Sequence, residues 1–90
     1  MIYAVYKRMS LEDVYSYKDL TLMNDFKLQK MVMDYLMKEV KIDEDELIDL
    51  DISELLELYE ETLRDIIEND STAFDRVLIK DANNKVIVDV

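Results

Sequence analysis

RVLIKDANNKVIVDV, residues 76–90, decides the fold class. Arg76 to Lys80 and Lys85 to Val90 are short runs rich in Val and Ile, side chains that suit a pleated, half-buried surface. Asp81-Ala82-Asn83-Asn84 stands between them, in a chain that contains no glycine. Asn tolerates the left-handed backbone that a tight turn demands, so the whole stretch reads as a β-hairpin. Two strands alone are marginally stable in water. A third is at hand in Ile2 to Tyr6 (IYAVY), β-branched or aromatic apart from one Ala. The expectation is an α+β fold: a small three-stranded sheet, the N-terminal strand plus the C-terminal hairpin, packed with two longer helices and one or two short ones.

The helices lie between the strands. Ser10 followed by Asp13 offers acceptors for a first helical turn, which predicts a short helix over Leu11 to Leu20. Asn24 caps a longer one, Asp25 to Val40. On it Lys27, Lys30, Asp34, Lys38 and Lys41 fall on one narrow polar stripe. Phe26, Leu28, Met31, Val32, Met33, Tyr35, Leu36, Met37 and Val40 cover most of the remaining circumference, which predicts a central helix apolar on several sides. Asp43 with Glu46 and Asp51 with Glu54 each set an acid three residues before a Glu, the spacing of a capping box. They divide the next segment into a helical turn, Glu44 to Leu50, and a helix, Ile52 to Asn69. Ile52, Leu55, Leu56, Tyr59, Leu63, Ile66 and Ile67 share one face of that helix, the core face. Asn69-Asp70-Ser71-Thr72 then reads as a loop back to the hairpin.

Ninety residues without a linker, repeat or low-complexity tract make one domain, residues 1–90. Half the residues are hydrophobic, too many for a disordered acidic tail. The absence of Cys and of any signal or membrane-spanning stretch points to a cytoplasmic protein with no disulfides. Eight Lys against three Arg, with abundant Asp, Ile and Tyr, fit an AT-rich genome of the mobile-element kind.

The net charge of −11 is local. Residues 1–41 and 76–90 each carry +1, whereas residues 42–75 hold fourteen acids against Arg64 alone, giving −13. On the Ile52 to Asn69 helix, Glu54, Glu57, Glu61, Asp65 and Glu68 fall within a strip of about 80° at about 100° per residue. Glu57 with Glu61 and Glu61 with Asp65 are like-charged i,i+4 pairs, each destabilising by a few tenths of a kcal/mol, and Glu60 with Arg64 is a favourable one. A basic partner would relieve that repulsion. Leu58 projects beside the strip and away from the core face, which suits an apolar anchor in a charged surface. The candidate partner-binding set is therefore Asp43, Glu44, Asp45, Asp49, Glu54, Glu57, Leu58, Glu61, Asp65 and Glu68. The plainer alternatives are a solvated helix face and an internal match to Lys27, Lys30, Lys38 and Lys41.

Other chemistries have less support. Asp43, Asp45, Asp49, Asp51 and Glu54 occupy positions 1, 3, 7, 9 and 12 of an EF-hand-like loop. Leu47 at position 5 offers no oxygen and Ile48 stands where the sharp turn needs Gly, so no metal or other cofactor is expected. With no His, no Cys and no Gly-rich loop, the chain lacks the usual base, nucleophile and phosphate cradle, and the reading is that it is not an enzyme and has no catalytic residues. The negative charge repels nucleic acid and the chain lacks a membrane segment, so neither is an expected partner. In size and charge the chain resembles the small acidic inhibitors that phages direct against host nucleases and defence systems. That resemblance implies a protein partner with a basic, nucleic-acid-binding surface, occupied by carboxylates that imitate phosphates. The alternative is a structural or regulatory homodimer joined through the Met-rich helix, a reading that rests on Met23, just before the cap, and on Met31, Met33 and Met37.

Overall fold

The computed structural model describes residues 1–8, 19–69 and 76–90. Its elements in chain order are β1 (Ile2–Arg8), β2 (Asp19–Asn24), α1 (Asp25–Glu39), α2 (Glu44–Leu47), α3 (Ile52–Asn69), β3 (Arg76–Lys80) and β4 (Val86–Asp89). The fold is α+β, with a four-stranded sheet in the order β2-β1-β3-β4 where three strands were expected. Each neighbouring pair is antiparallel.

The extra strand is β2, DLTLMN, whose polar and apolar residues alternate only from Asp19 to Leu22, with both leucines exposed rather than in the core. What makes it a strand is pairing: Ile2 to Lys7 of β1 match Asn24 to Asp19 in register. Asp19 and Leu20, expected at the end of a helix, therefore lie in the sheet, while positions 11–18 of that expected helix fall outside the described residues. The Asp70-Ser71-Thr72 part of the expected loop also falls outside them, and Asn69 closes α3.

β2 runs straight into α1. Asn24 ends the strand and caps the helix, its side-chain oxygen accepting the Lys27 N–H at 2.9 Å. The two-layer arrangement then decides which sides of α1 are covered. Leu28, Val32 and Leu36 are buried, Met31, Met33, Tyr35 and Met37 are half-buried against the same core, and Phe26 is 73% exposed. The helix is not central as its composition suggested, because no third layer of the described residues packs on its outer side. Val40 is the C-cap, and Lys41 beyond it takes φ 61°, the left-handed position usually filled by Gly.

Two short connections follow. α2 spans one turn, less than the expected Glu44 to Leu50, and Leu47 inserts into the core. Asp43 makes no side-chain cap bond, so the first expected capping box does not form; the backbone carbonyl of Asp43 accepts the Glu46 N–H instead. The second one does form. Asp51 Oδ1 accepts the Glu54 N–H at 2.9 Å, and Glu54 Oε1 accepts the Asp51 N–H at 3.5 Å.

α3 lays Leu55, Leu56, Tyr59, Thr62 and Leu63 into the core, with Ile52, Ile66 and Ile67 half-buried. Tyr59 meets Tyr35 of α1 edge to face at 5.2 Å, locking the two helices side by side. Beneath them Tyr3, Val5, Val77, Ile79 and Val88 form the buried face of the sheet. The hairpin turns at Asp81, whose Oδ1 accepts the N–H groups of Asn83 (2.9 Å) and Lys85 (3.0 Å), and Asn84 takes φ 63° as its residue type suggested. A bulge between Ile79 and Lys80 leaves Ile87 of β4 without an opposite residue, and Val90 extends the ladder by bonding Val77 in both directions.

Candidate functional site

The acid ladder stands on the outer side of α3. Its core face turns Leu55, Tyr59, Thr62 and Leu63 towards the sheet and α1, so helical periodicity turns Glu54, Glu57, Glu61, Asp65 and Glu68 to solvent, and all five are exposed. The acids before the helix, Asp43, Glu44, Asp45 and Asp49, are exposed as well. They belong to the same acidic segment of the chain, residues 42–75, and precede the ladder in sequence.

The lysine stripe makes no ion pair with the ladder. Lys27, Lys30 and Lys38 are exposed on α1 and Lys41 just beyond its C-cap, and no ion pair among the described residues joins any of them to α3. The ion pair on α3 itself is Arg64 Nη2 with Glu60 Oε1 at 2.8 Å, off the ladder. The Glu60 hydrogen bond and charge hold the guanidinium still more firmly in its charged form. Arg64 also donates to the Asp89 backbone carbonyl at 3.3 Å, so it ties α3 to β4 as well as pairing with Glu60.

Leu58 takes a different place from the one its helical projection suggested. It is half-buried and packs against the core cluster, so only part of its side chain faces solvent beside Glu54 and Glu61. α1 packs against α3, so the buried side of α3 is wider than its helical projection alone gives.

Next to the ladder is a cleft of about 380 Å³ that sequence reasoning did not find. Tyr3, Ile52, Leu56 and Ile87 give it an apolar lining, and Glu57, Glu60 and Asp81 line it with carboxylates. Its walls come from β1, α3, the hairpin turn and β4. No local sequence pattern brings those together; the one available signal was that Glu57 belongs to the ladder. At its edge the Met1 amino group lies 3.9 Å from Asp25. The Tyr3 hydroxyl is held above its ordinary value of 10.0, first by burial, then by the charge of Asp25 and a hydrogen bond to it, then by Asp81.

Asp43 to Glu54 contain α2 and the start of α3 in place of a ligand loop, and no three acidic side chains among the described residues converge on a common point. No helix among the described residues is long and apolar enough to cross a membrane. Comparison with protein-family models, with curated proteins and with solved structures gave no match for this chain.

Proposed function

We propose that the chain is an acidic protein-binding module that occupies a basic surface of another protein, and that the partner is a nucleic-acid-handling enzyme inhibited by a carboxylate imitation of a phosphate row. The observation that carries this reading is the one-sided exposure of Glu54, Glu57, Glu61, Asp65 and Glu68 on a capped helix, with no ion pair from the lysines of α1. Carboxylates carried along a rigid helix steer a basic cleft into contact from a backbone whose spacing is already set. The adjoining cleft adds specificity. A Lys or Arg of the partner lays its aliphatic stem on Leu56 and Ile87 and its charged head between Glu57, Glu60 and Asp81. A phage or mobile-element origin follows from the same reading, as the setting in which small acidic inhibitors of host enzymes occur.

Capture from the native cell tests it, with the wild-type chain and the Glu57→Lys, Glu61→Lys double variant as parallel baits. The expected result is a nucleic-acid-binding protein retained by the wild type, released by moderate salt or by added DNA, and lost with the variant. An unchanged partner set with unchanged salt dependence overturns the reading. A homodimer through the Met-rich helix has weaker support, because Met31, Met33 and Met37 are half-buried in this chain's own core and leave Phe26 as the main exposed apolar group of α1.

A further inference from the structure

A break in the regularity of the sheet builds the cleft beside the ladder. With Val88 turned to the helices, strict alternation along β4 would send Ile87 to the reverse side of the sheet. The bulge between Ile79 and Lys80 prevents that. Val88 pairs with Ile79 and Val86 with Lys80, so Ile87 is the extra residue, re-aimed to line the cleft with Tyr3, Ile52 and Leu56. On α3, Ile52, Leu56 and Glu60 recur every four residues, with Ser53 and Glu57 beside them, so one stripe of the helix passes from apolar to carboxylate. The hairpin turn brings in Asp81 from the sheet.

Each carboxylate of the cleft has a definable share left for an occupant. Glu60 commits Oε1 to Arg64 at 2.8 Å and keeps Oε2. Asp81 commits Oδ1 to the N–H groups of Asn83 and Lys85 and keeps Oδ2. Glu57 joins no ion pair among the described residues. The remaining acceptors therefore come from two elements, α3 and the hairpin turn. The Tyr3 hydroxyl is bonded to Asp25, so Tyr3 offers the occupant its ring.

We propose that the cleft is a receptor for one arginine side chain of the partner, an inference that rests on the reading of the chain as a binder of a basic surface and narrows it. Charge complementarity selects a cation, and the make-up of the site selects guanidinium over ammonium. A guanidinium is planar, weakly hydrated and carries its donors in a fixed fork, so it reaches acceptors on both elements at once and sheds water readily beside an aromatic ring. An ammonium is a strongly hydrated point charge. The volume of about 380 Å³ lies at the lower end of small-ligand sites, with room for the guanidinium and for its methylene stem on Leu56 and Ile87. Arginine is also the residue with which nucleic-acid-binding surfaces hold phosphate in bidentate fashion, so the cleft and the ladder address the same surface. Glu57 belongs to both and sets the register between them.

Nuclear magnetic resonance titration of the full chain with blocked tripeptides tests the cleft without the partner. The central residue is arginine, lysine or citrulline, flanked by alanines. The expected result is a saturable shift of the Ser53, Glu57, Asp81 and Ile87 amides with arginine, binding about tenfold weaker with lysine, and none with citrulline, which keeps the shape and loses the charge. Asp81→Asn keeps an oxygen for the turn and removes the charge; combined with Glu57→Gln it is expected to weaken the arginine peptide about tenfold or more with circular dichroism unchanged. Equal binding of the arginine and lysine peptides, shifts that spread along Glu54, Glu61 and Asp65 without saturating, undiminished binding by the double variant, or no shift at all overturns the inference. Capture from the native cell separates it from the broader reading. A partner held through the ladder beside a cleft that takes no arginine sinks this inference alone, and an arginine-binding cleft with no basic partner captured sinks the broader reading alone.

Discussion

At the scale of single residues, a chain without glycine has to place other side chains where the backbone turns left-handed. Asn84 does so at low cost, since its side chain tolerates that region, whereas Lys41 at φ 61° brings its Cβ close to the backbone. Lys41→Gly is expected to raise stability by about 0.5–1 kcal/mol, the relieved strain less the added entropy of the unfolded chain, as measured by urea denaturation. Asp81 works in the opposite sense. Its carboxylate takes two backbone N–H groups of the turn, so Asp81→Ala is expected to lower stability by about 1–2 kcal/mol and to broaden the hairpin amide signals in NMR. Tyr3 gives the pH dependence. Its hydroxyl keeps its proton longer in the folded chain than in the unfolded one, so the contribution is complete below pH 10.0 and is lost as pH rises through the raised folded value. Denaturation midpoints above about pH 10 are expected to fall less steeply for Tyr3→Phe than for the wild type. If the two fall in parallel, the hydroxyl is not the source.

At the scale of the element, α3 combines a well-made start with an unfavourable end. The Asp51–Glu54 capping box satisfies two backbone donors, and Asp51→Ala is expected to cost about 1 kcal/mol. The last turn holds Glu68 and no base, which sets a negative charge against the negative end of the helix dipole. Glu68 is also one turn from Arg64, whose charged form it favours, so the test falls on Glu61→Lys, which turns two like-charged i,i+4 pairs, with Glu57 and Asp65, into opposite ones and is expected to stabilise the fold by about 0.5 kcal/mol in thermal denaturation while weakening capture of a basic partner. A helix selected for stability alone would not retain that charge, and the opposed directions of the two effects separate a binding surface from a solvated face. The limits of α3 were legible in the sequence because capping and periodicity are local. The place of Leu58 was not, because the width of a helix's buried side depends on its neighbour, here α1.

For the whole molecule, salt tests the acid ladder. Contacts made by the ladder weaken as salt is added, since they exchange charge attraction for screening. Partner capture in a salt series is expected to fall as salt rises, because the excess negative charge of the chain lies on α3 and the acids before it; capture indifferent to salt counts against the ladder as the contact.

The sequence by itself determined the fold class, the C-terminal hairpin with Asn84 at its left-handed turn, the Asn24 and Asp51 caps and the one-sided acid ladder. Each follows from hydrogen bonds or side-chain periodicity within a few residues, so no knowledge of distant neighbours is needed. Only the tertiary structure decided that DLTLMN is a strand, that α1 is covered on one side, and that the cleft beside Glu57 and the apolar reverse of the sheet exist. Those features depend on which segments meet across the sheet: β2 has strand geometry because β1 offers it an edge, and the same pairing turns Leu20 and Leu22 to the outside.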